Sequence, residues 1–454
     1  MLLYLAIVYD CEYCFRYKRR TSMIRHYFIY FILALIVIFT GCASVHHPLG
    51  RDAITVRRGG IYRNDTVLTL QAVHEPDLCA KGSALAVMVP AMARVAAAGG
   101  NAVAFDLCGF SDNGKAISDE SIAVVSAYTD RAKGQRMAVI VRIVGDDGTK
   151  RFRRNAVKTA AKALTHETKA LYWIDGPDAA NLAKQFKRLA PHLVVAAPQN
   201  GDLIVTANSD TAGDSGLYLL TGALPKNPRG NVNYVLPGSD ATYAMLDKIY
   251  MSDAEKASWT PDNSMLSEEE RAEGFISLFN GRDLNNWWSF YHGKESFRVN
   301  ADGHIECYQS GAGGIMTNRR YDNYILRLEY KLLEKDANSG IHLRAPRAAR
   351  QSKIGFEFQI MGDSYLTEPH KNSTAAVYDV VPALTTAARP EGEWNEVEIM
   401  LNGPRLKAVL NDVLVQDVNF DEVEELRYRL RRGFIGLQDH DSYVEFKNVR
   451  LKEL

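Results

Sequence analysis

Between Asn338 and Ile360 two short runs alternate apolar and polar side chains, and the polar ones are types that move protons and grip hydroxyls. In Asn338-Ser339-Gly340-Ile341-His342-Leu343-Arg344, Ile341 and Leu343 point one way while His342 and Arg344 point the other. In Gly355-Phe356-Glu357-Phe358-Gln359-Ile360, Phe356, Phe358 and Ile360 face a core while Glu357 and Gln359 share the opposite side. Strand side chains repeat with a period of two, so pairing of these runs would gather Glu357, Gln359, His342 and Arg344 into one polar patch. A carboxylate, an amide, an imidazole and a guanidinium on one concave surface can bind sugar hydroxyls and transfer protons. A solvated sheet face with one surface ion pair would show the same alternation.

The elements that must position these groups are strands. Tyr324–Leu332 alternates bulky and charged residues almost without fault, and Glu396–Leu401 does likewise before a turn at Asn402-Gly403. Asn411-Asp412 ends the next strand, and a final pair covers Gly433–Gln438 and Tyr443–Leu451. Many short strands without intervening helices predict a β-sandwich. Trp287, Trp288 and Trp394 fit sugar-stacking platforms, although a sandwich tryptophan is more often core.

The fragments GFISLFNGRDLNNWW, NSGIHLR, GFEFQI, TAAVYD, EWNEVEI and GFIGLQDHDSYVEFKNVRLKEL follow one another through this region. Together they resemble the 3-keto-disaccharide hydrolase family, which implies a concanavalin-like jelly roll and cleavage of glycosides already oxidised at C3. A C3 ketone acidifies the C2 proton; its removal gives an enolate that expels the C1 aglycone, and water then adds back. Such a site needs a base over C2, electrophilic help at the C3 oxygen and an acid for the leaving oxygen. The resemblance implies Glu357 and His440 as base and acid in either order, with Arg344 and Gln359 stabilising the enolate. It implies Asn338, His342, Tyr378, Gln438, Asp439 and Trp288 as substrate-binding. No cofactor is assigned; a divalent cation held by carboxylate and imidazole is the alternative way to polarise the ketone. The chain departs from the family in continuing the glutamate strand as Met361-Gly362-Asp363, and in having Asp441 after His440, where glycine is usual. A non-catalytic lectin-like glycan-binding module is the rival reading, because sandwiches of this kind often only bind.

Residues 42–250 read differently. Strand candidates Thr66–Val73, Asn101–Leu107, Met137–Val144, Ala170–Ile174 and Leu193–Ala197 alternate with helical stretches at 84–98, 119–132, 151–164 and 178–189. This predicts a parallel sheet covered by helices. About five βα units are visible, too few for a complete eight-fold barrel. His74, Glu75, Asp106, Arg142, Asp175 and Gln199 fall at strand C-termini, where such folds place their sites. The segment weakly resembles the opening of a glycosidase barrel but has no Asn-Glu pair at a fourth strand, which favours a non-catalytic scaffold. Pro225, Pro228, Pro237 and Pro261 lead into a linker, 251–272, and the all-β domain occupies 273–454. The predicted class is thus multi-domain: an α/β, partial (β/α)-type domain followed by a concanavalin-like β-sandwich, or jelly roll.

Residues 1–41 read as a leader. Arg16, Lys18, Arg19, Arg20 and Arg25 precede an apolar run, Tyr27 to Phe39, that ends in Thr40-Gly41-Cys42. The run is short for a spanning helix, which takes roughly 20 apolar residues. It resembles a lipobox, implying lipidation of Cys42 and a lipid anchor in the cell envelope; Ala43-Ser44 favours the outer membrane, facing the periplasm. An uncleaved short anchor is the plainer alternative. Lys plus Arg number 54 and Asp plus Glu 54, so no global field draws nucleic acid, and none is expected as a partner. Of the remaining cysteines, Cys79 and Cys108 can pair in an oxidising compartment, buried thiols being the plainer reading, and no metal-ligand spacing is present.

Overall fold

The computed structural model describes residues 52–57, 60–64, 66–145, 148–198, 203–206, 218–221, 233–246, 260–290, 296–308 and 313–454. Arg51–Leu454 are a single compact unit. The leader, Cys42, Gln199 and residues 251–259 of the expected linker lie outside the described residues.

Three strands, β1 (Ile54–Arg57), β2 (Gly60–Arg63) and β3 (Thr66–Leu68), make a small antiparallel sheet. Eight parallel strands then close a barrel: β4 (Gln71–His74), β5 (Ala102–Asp106), β6 (Ala138–Val144), β7 (Ala170–Ile174), β8 (Val195–Ala197), β9 (Leu203–Thr206), β10 (Tyr218–Thr221) and β11 (Tyr234–Pro237). The predicted strand Thr66–Val73 is therefore two: β3 belongs to the small sheet and β4 to the barrel. Among the described residues, helices follow five strands. They are α1 (Leu78–Lys81) and α2 (Leu85–Ala97) after β4, α3 (Asp119–Gly134) after β5, and α4 (Lys150–Ala163) after β6. Then come α5 (Ala179–Leu189) after β7 and α6 (Asp240–Leu246) after β11. The partial (β/α) character holds for this helical layer. The expectation that the sheet is too short to close is corrected: β9, β10 and β11 complete the ring, with only five residues between β8 and β9. Pro237 accordingly ends a barrel strand instead of opening a linker.

Alternation sorts the barrel strands. Ala72, Ala102, Ala104, Ala138, Ile140, Leu171, Trp173 and Ala196 fill the interior, while Val73, Val103, Phe105, Val139, Val141 and Tyr172 pack outward on the helices. Local chemistry sets the helix ends: Ser118 and Thr149 cap α3 and α4 by accepting from Ser121 and Phe152 backbone N–H groups. Cys79 and Cys108 form a disulfide, Cα atoms 5.8 Å apart, because β4 and β5 are neighbours whose C-terminal loops meet; this corrects the thiol reading. Cys307 is buried in the sandwich.

The acidic end of the expected linker is helix α7 (Glu268–Glu273), held by a capping box between Ser267 and Glu270 and stopped by left-handed Gly274. The sandwich strands are β12 (Ile276–Ser277), β13 (Trp287–Phe290), β14 (Phe297–Val299), β15 (Ile305–Tyr308), β16 (Gly313–Thr317), β17 (Tyr324–Leu332), β18 (Asn338–Ala345), β19 (Phe356–Met361), β20 (Asn395–Asn402), β21 (Arg405–Leu410), β22 (Val413–Asn419), β23 (Phe434–Asp439) and β24 (Tyr443–Glu453). One sheet runs β14-β15-β24-β17-β20-β21-β22, with β12 also on β24; the other runs β13-β16-β23-β18-β19. Their facing sides bury Leu326, Leu328, Tyr330, Ile341, Leu343, Phe356, Phe358, Ile399 and Leu437.

The barrel and the sandwich share an apolar cluster. Phe290, Met316 and Phe434, on the side of the five-stranded sheet away from its core, join Ala349 and Ile354 in continuity with Met92 of α2. Helix α8 (Gln351–Ile354), between β18 and β19, contacts α2. The Arg350 backbone N–H donates to the Gln135 carbonyl at 2.8 Å.

Candidate active site

Strands β18 and β19 pair antiparallel with His342 opposite Glu357 and Gly340 opposite Gln359, so the imidazole, carboxylate and amide do share one face. His342 Nε2 lies 3.6 Å from Glu357 Oε2, and the two residues are 3% and 2% exposed. A buried carboxylate survives only with compensating partners, and the imidazole is the one at hand. A Cβ on Gly340 would come within 2.5 Å of Glu357 Oε1, so glycine leaves the space this carboxylate fills. Gln359 donates from Nε2 to Asn338 Oδ1 at 2.9 Å. Three polar atoms stay buried without a partner among the described residues: His342 Nδ1, Gln359 Oε1 and Gln438 Oε1. Orphaned buried acceptors and an orphaned imidazole nitrogen are what a hydroxylated ligand would satisfy.

A cavity of about 260 Å³ opens above this face. His342 lines it with Gln438, Asp439, His440 and Asp441 from the end of β23, Arg350 and Gln351 at the start of α8, and Phe290 and Gly313. Glu357 stands behind His342 and is not part of the lining. The site thus joins His342, Gln438, Asp439 and His440 of the expected set, with Glu357 supporting from beneath. Asp441 adopts φ 64°, a left-handed conformation that aspartate tolerates and glycine adopts freely.

Arg344 is a correction. The register of β18 against β23 shifts between His342 and Ala345, and Arg344 sits in that bulge at φ 49°. Its side chain is fully buried, donating to the carbonyls of Asp322 and Gly403, each at 2.8 Å, and to Asn323 Oδ1 at 3.2 Å. The guanidinium clamps two loops and does not share the patch. Burial lowers its pKa.

Trp288 is a second correction: its Nε1 donates to the Thr317 carbonyl at 3.1 Å, and its ring is hemmed by Phe290, Phe434 and Arg347. It packs at the junction with the barrel. Trp287 is core, and Trp394 lies between Lys331 and Lys447, on the other sheet. Tyr378 gives its backbone N–H to the Glu357 carbonyl at 3.0 Å, and its ring faces Lys353, so it braces β19 and does not line the cavity. Asp363 is buried, binding Thr374 through its hydroxyl at 2.6 Å and its backbone N–H at 2.8 Å. Burial raises its pKa, against those two hydrogen bonds.

Sequence reasoning missed the lining residues Phe290, Gly313, Arg350, Gln351 and Ser352, and above all Arg136. It lies between α3 and β6, at the barrel's N-terminal end, in a left-handed conformation of φ 55°. Nothing in the local sequence marks it; only the docking of the two domains brings it beside Arg350. Among the described residues, no group of three His, Cys, Asp or Glu side chains gathers as a metal site would require.

Residues 274–452 match the family described as the 3-keto-alpha-glucoside-1,2-lyase-like domain. A 3-keto-disaccharide hydrolase of Bacteroides thetaiotaomicron is 27% identical over 233 residues, covering 40% of this chain and 79% of the relative. A Parabacteroides distasonis protein of known structure, provisionally named a glycosyl hydrolase, is 26% identical over 42% of this chain and 98% of its own, with a TM-score of 0.37. A carbohydrate-binding module of Bacillus subtilis is 15% identical over 37% of this chain and 96% of its own, with a TM-score of 0.28. The sandwich domain is thus similar to the 3-keto-alpha-glucoside-1,2-lyase-like family.

Proposed function

We propose that the sandwich domain cleaves 3-keto-glycosides by elimination and rehydration. The observation that carries this reading is the buried His342–Glu357 pair beneath a polar cavity. His342 takes the C2 proton, and Glu357, held against its Nε2, stabilises the imidazolium that forms. The electrons of the C2–H bond move into the enolate, whose negative C3 oxygen is met by the Arg350 and Arg136 guanidinia. Return of those electrons forms the C1–C2 double bond and breaks the bond from C1 to the aglycone oxygen, which leaves with a proton from His440 at the cavity rim. Water then adds its oxygen to C1, one of its protons goes to His440, and His342, having exchanged the abstracted proton with solvent, delivers a proton to C2. Gln438 and Asp439 fix the ring hydroxyls. In this scheme Glu357 acts through the histidine, and Arg344 maintains the bulge.

The test uses a 3-keto-glucoside deuterated at C2, in ordinary water. Loss of deuterium from the sugar product in step with aglycone release is expected. Full retention of deuterium during turnover would exclude elimination, and saturable binding without turnover would favour a lectin-like module. We also propose that the chain is exported and anchored through a lipid on Cys42. The lipobox-like segment supports this, as does the Cys79–Cys108 bond, a feature of oxidising compartments. Cys42→Ser should move the protein from the membrane to the soluble fraction of the envelope. An unchanged membrane fraction and unprocessed mass in both forms would speak for an ordinary anchor.

A further inference from the structure

We infer that the C-terminal mouth of the barrel is a second carbohydrate site, one that takes a neutral pyranoside independently of the sandwich. The inward-facing positions of the barrel are small or aliphatic until the last layer, where they become His74, Asp106, Arg142 and Trp173, followed by Asp175. Asp106, Arg142 and Trp173 are register partners across β5, β6 and β7. His74 Nε2 lies 2.7 Å from Asp106 Oδ1, and Arg142 bridges Asp106 at 3.5 Å and Asp175 at 3.8 Å. A barrel needs only apolar side chains to fill its layers, so the charged and polar members His74, Asp106 and Arg142 are not required for packing.

Two independent features mark it as built to receive something. Trp173, 4% exposed and set between His74 and Arg142, keeps its Nε1 without a partner among the described residues, as does the buried Nε of Arg142. Two loop glycines also leave room for the charged side chains. A Cβ on Gly145 would overlap the Arg142 guanidinium, and one on Gly238 would fall 2.7 Å from the Glu75 carboxyl carbon.

The chemistry selects the ligand. A cavity of about 170 Å³ lies against this layer, with Asp106 and Arg142 on one side and the edge-to-face pair Phe110 and Phe152 as walls. Acceptor, donor and aromatic wall in one small cavity suit a hydroxylated ring with one apolar face. Among the described residues of the mouth, Asp106, Asp175 and Glu75 outnumber Arg142, which disfavours phosphate and other anions.

The test measures binding of methyl α- and β-glucopyranoside and methyl β-galactopyranoside to the whole protein, by saturation-transfer NMR titration at millimolar concentrations. Saturable binding of at least one is expected. Asp106→Asn and Arg142→Gln should weaken it by about tenfold or more, as for loss of a charged hydrogen-bond partner, and Gln438→Ala should leave it intact. Phe110→Ala, on a loop, gives the same loss without disturbing the strands, and hydrolysis by the sandwich reports that each variant is folded. The inference is overturned if none of the three sugars binds saturably, if binding ignores the mouth variants, or if inorganic phosphate alone binds.

Discussion

Glu357→Gln removes a charge from beneath the site while keeping the side chain's shape. At 3.6 Å, a carboxylate and an imidazolium attract by about 4–5 kcal/mol at an effective dielectric constant of about 20. The glutamine oxygen keeps part of that attraction as a dipole, so the expected net loss is about 3–4 kcal/mol, or roughly 10²–10³-fold in rate. The loss should fall on one kinetic constant. Glu357 does not line the cavity, and its attraction to His342 grows only as the imidazolium forms, so kcat should fall while KM stays within about twofold. Initial rates of p-nitrophenol release from a p-nitrophenyl 3-keto-glucoside measure both constants, and the melting temperature of each form reports folding. A well-folded variant with wild-type kcat would refute the supporting role of Glu357. A raised KM with unchanged kcat would place the carboxylate on the substrate instead.

Arg344→Lys should act on stability. Loss of the three-way clamp on Asp322, Asn323 and Gly403 costs about 2–4 kcal/mol, seen as a lower melting temperature; a kcat loss at unchanged stability would return Arg344 to the chemistry. Arg136→Ala should lower kcat/KM by about tenfold, and the isolated segment 274–454 should be less active and less stable than the whole chain, because Phe290, Met316 and Phe434 lose their cover. Full activity in both would detach the barrel from the site. Asp379 is held down at about 2 by hydrogen bonds from Lys353 and Lys371. Its folded pKa lies below the unfolded value of about 3.9, so its stabilisation is present above about pH 4 and is lost as pH falls through about 2. Because the side chain is a third exposed, the effect is on the order of 1 kcal/mol. Asp379→Asn should melt earlier at neutral pH and converge with wild type in strong acid; a constant difference across that range would contradict the assignment.

The pairing of β18 with β19 was legible because alternation depends only on neighbouring residues, and His342, Glu357 and Gln359 fell together as the period of two requires. Arg344 was misplaced by the same rule, since a bulge is decided by the partner strand and leaves no mark in the local pattern. Closure of the barrel was hidden for a similar reason. Strands β9 and β10 span four residues each and carry no helix between them among the described residues, so nothing repeats often enough to be read. The disulfide turned on which strands are neighbours, and a spacing of 29 residues says little about that. Arg136 depended on the docking of two domains, a long-range fact that no window of sequence contains.

Strand β24 lies inside its sheet and joins β15 and β17 along nearly its whole length. β15 reaches β17 only through it, so the larger sheet cannot assemble before β24 is in place. The same arrangement makes the final turn before Tyr443 a poor place for a premature stop. A tag after the exposed Leu454 leaves every pairing intact, whereas deletion of Tyr443–Glu453 separates β15 from β17 and divides the sheet.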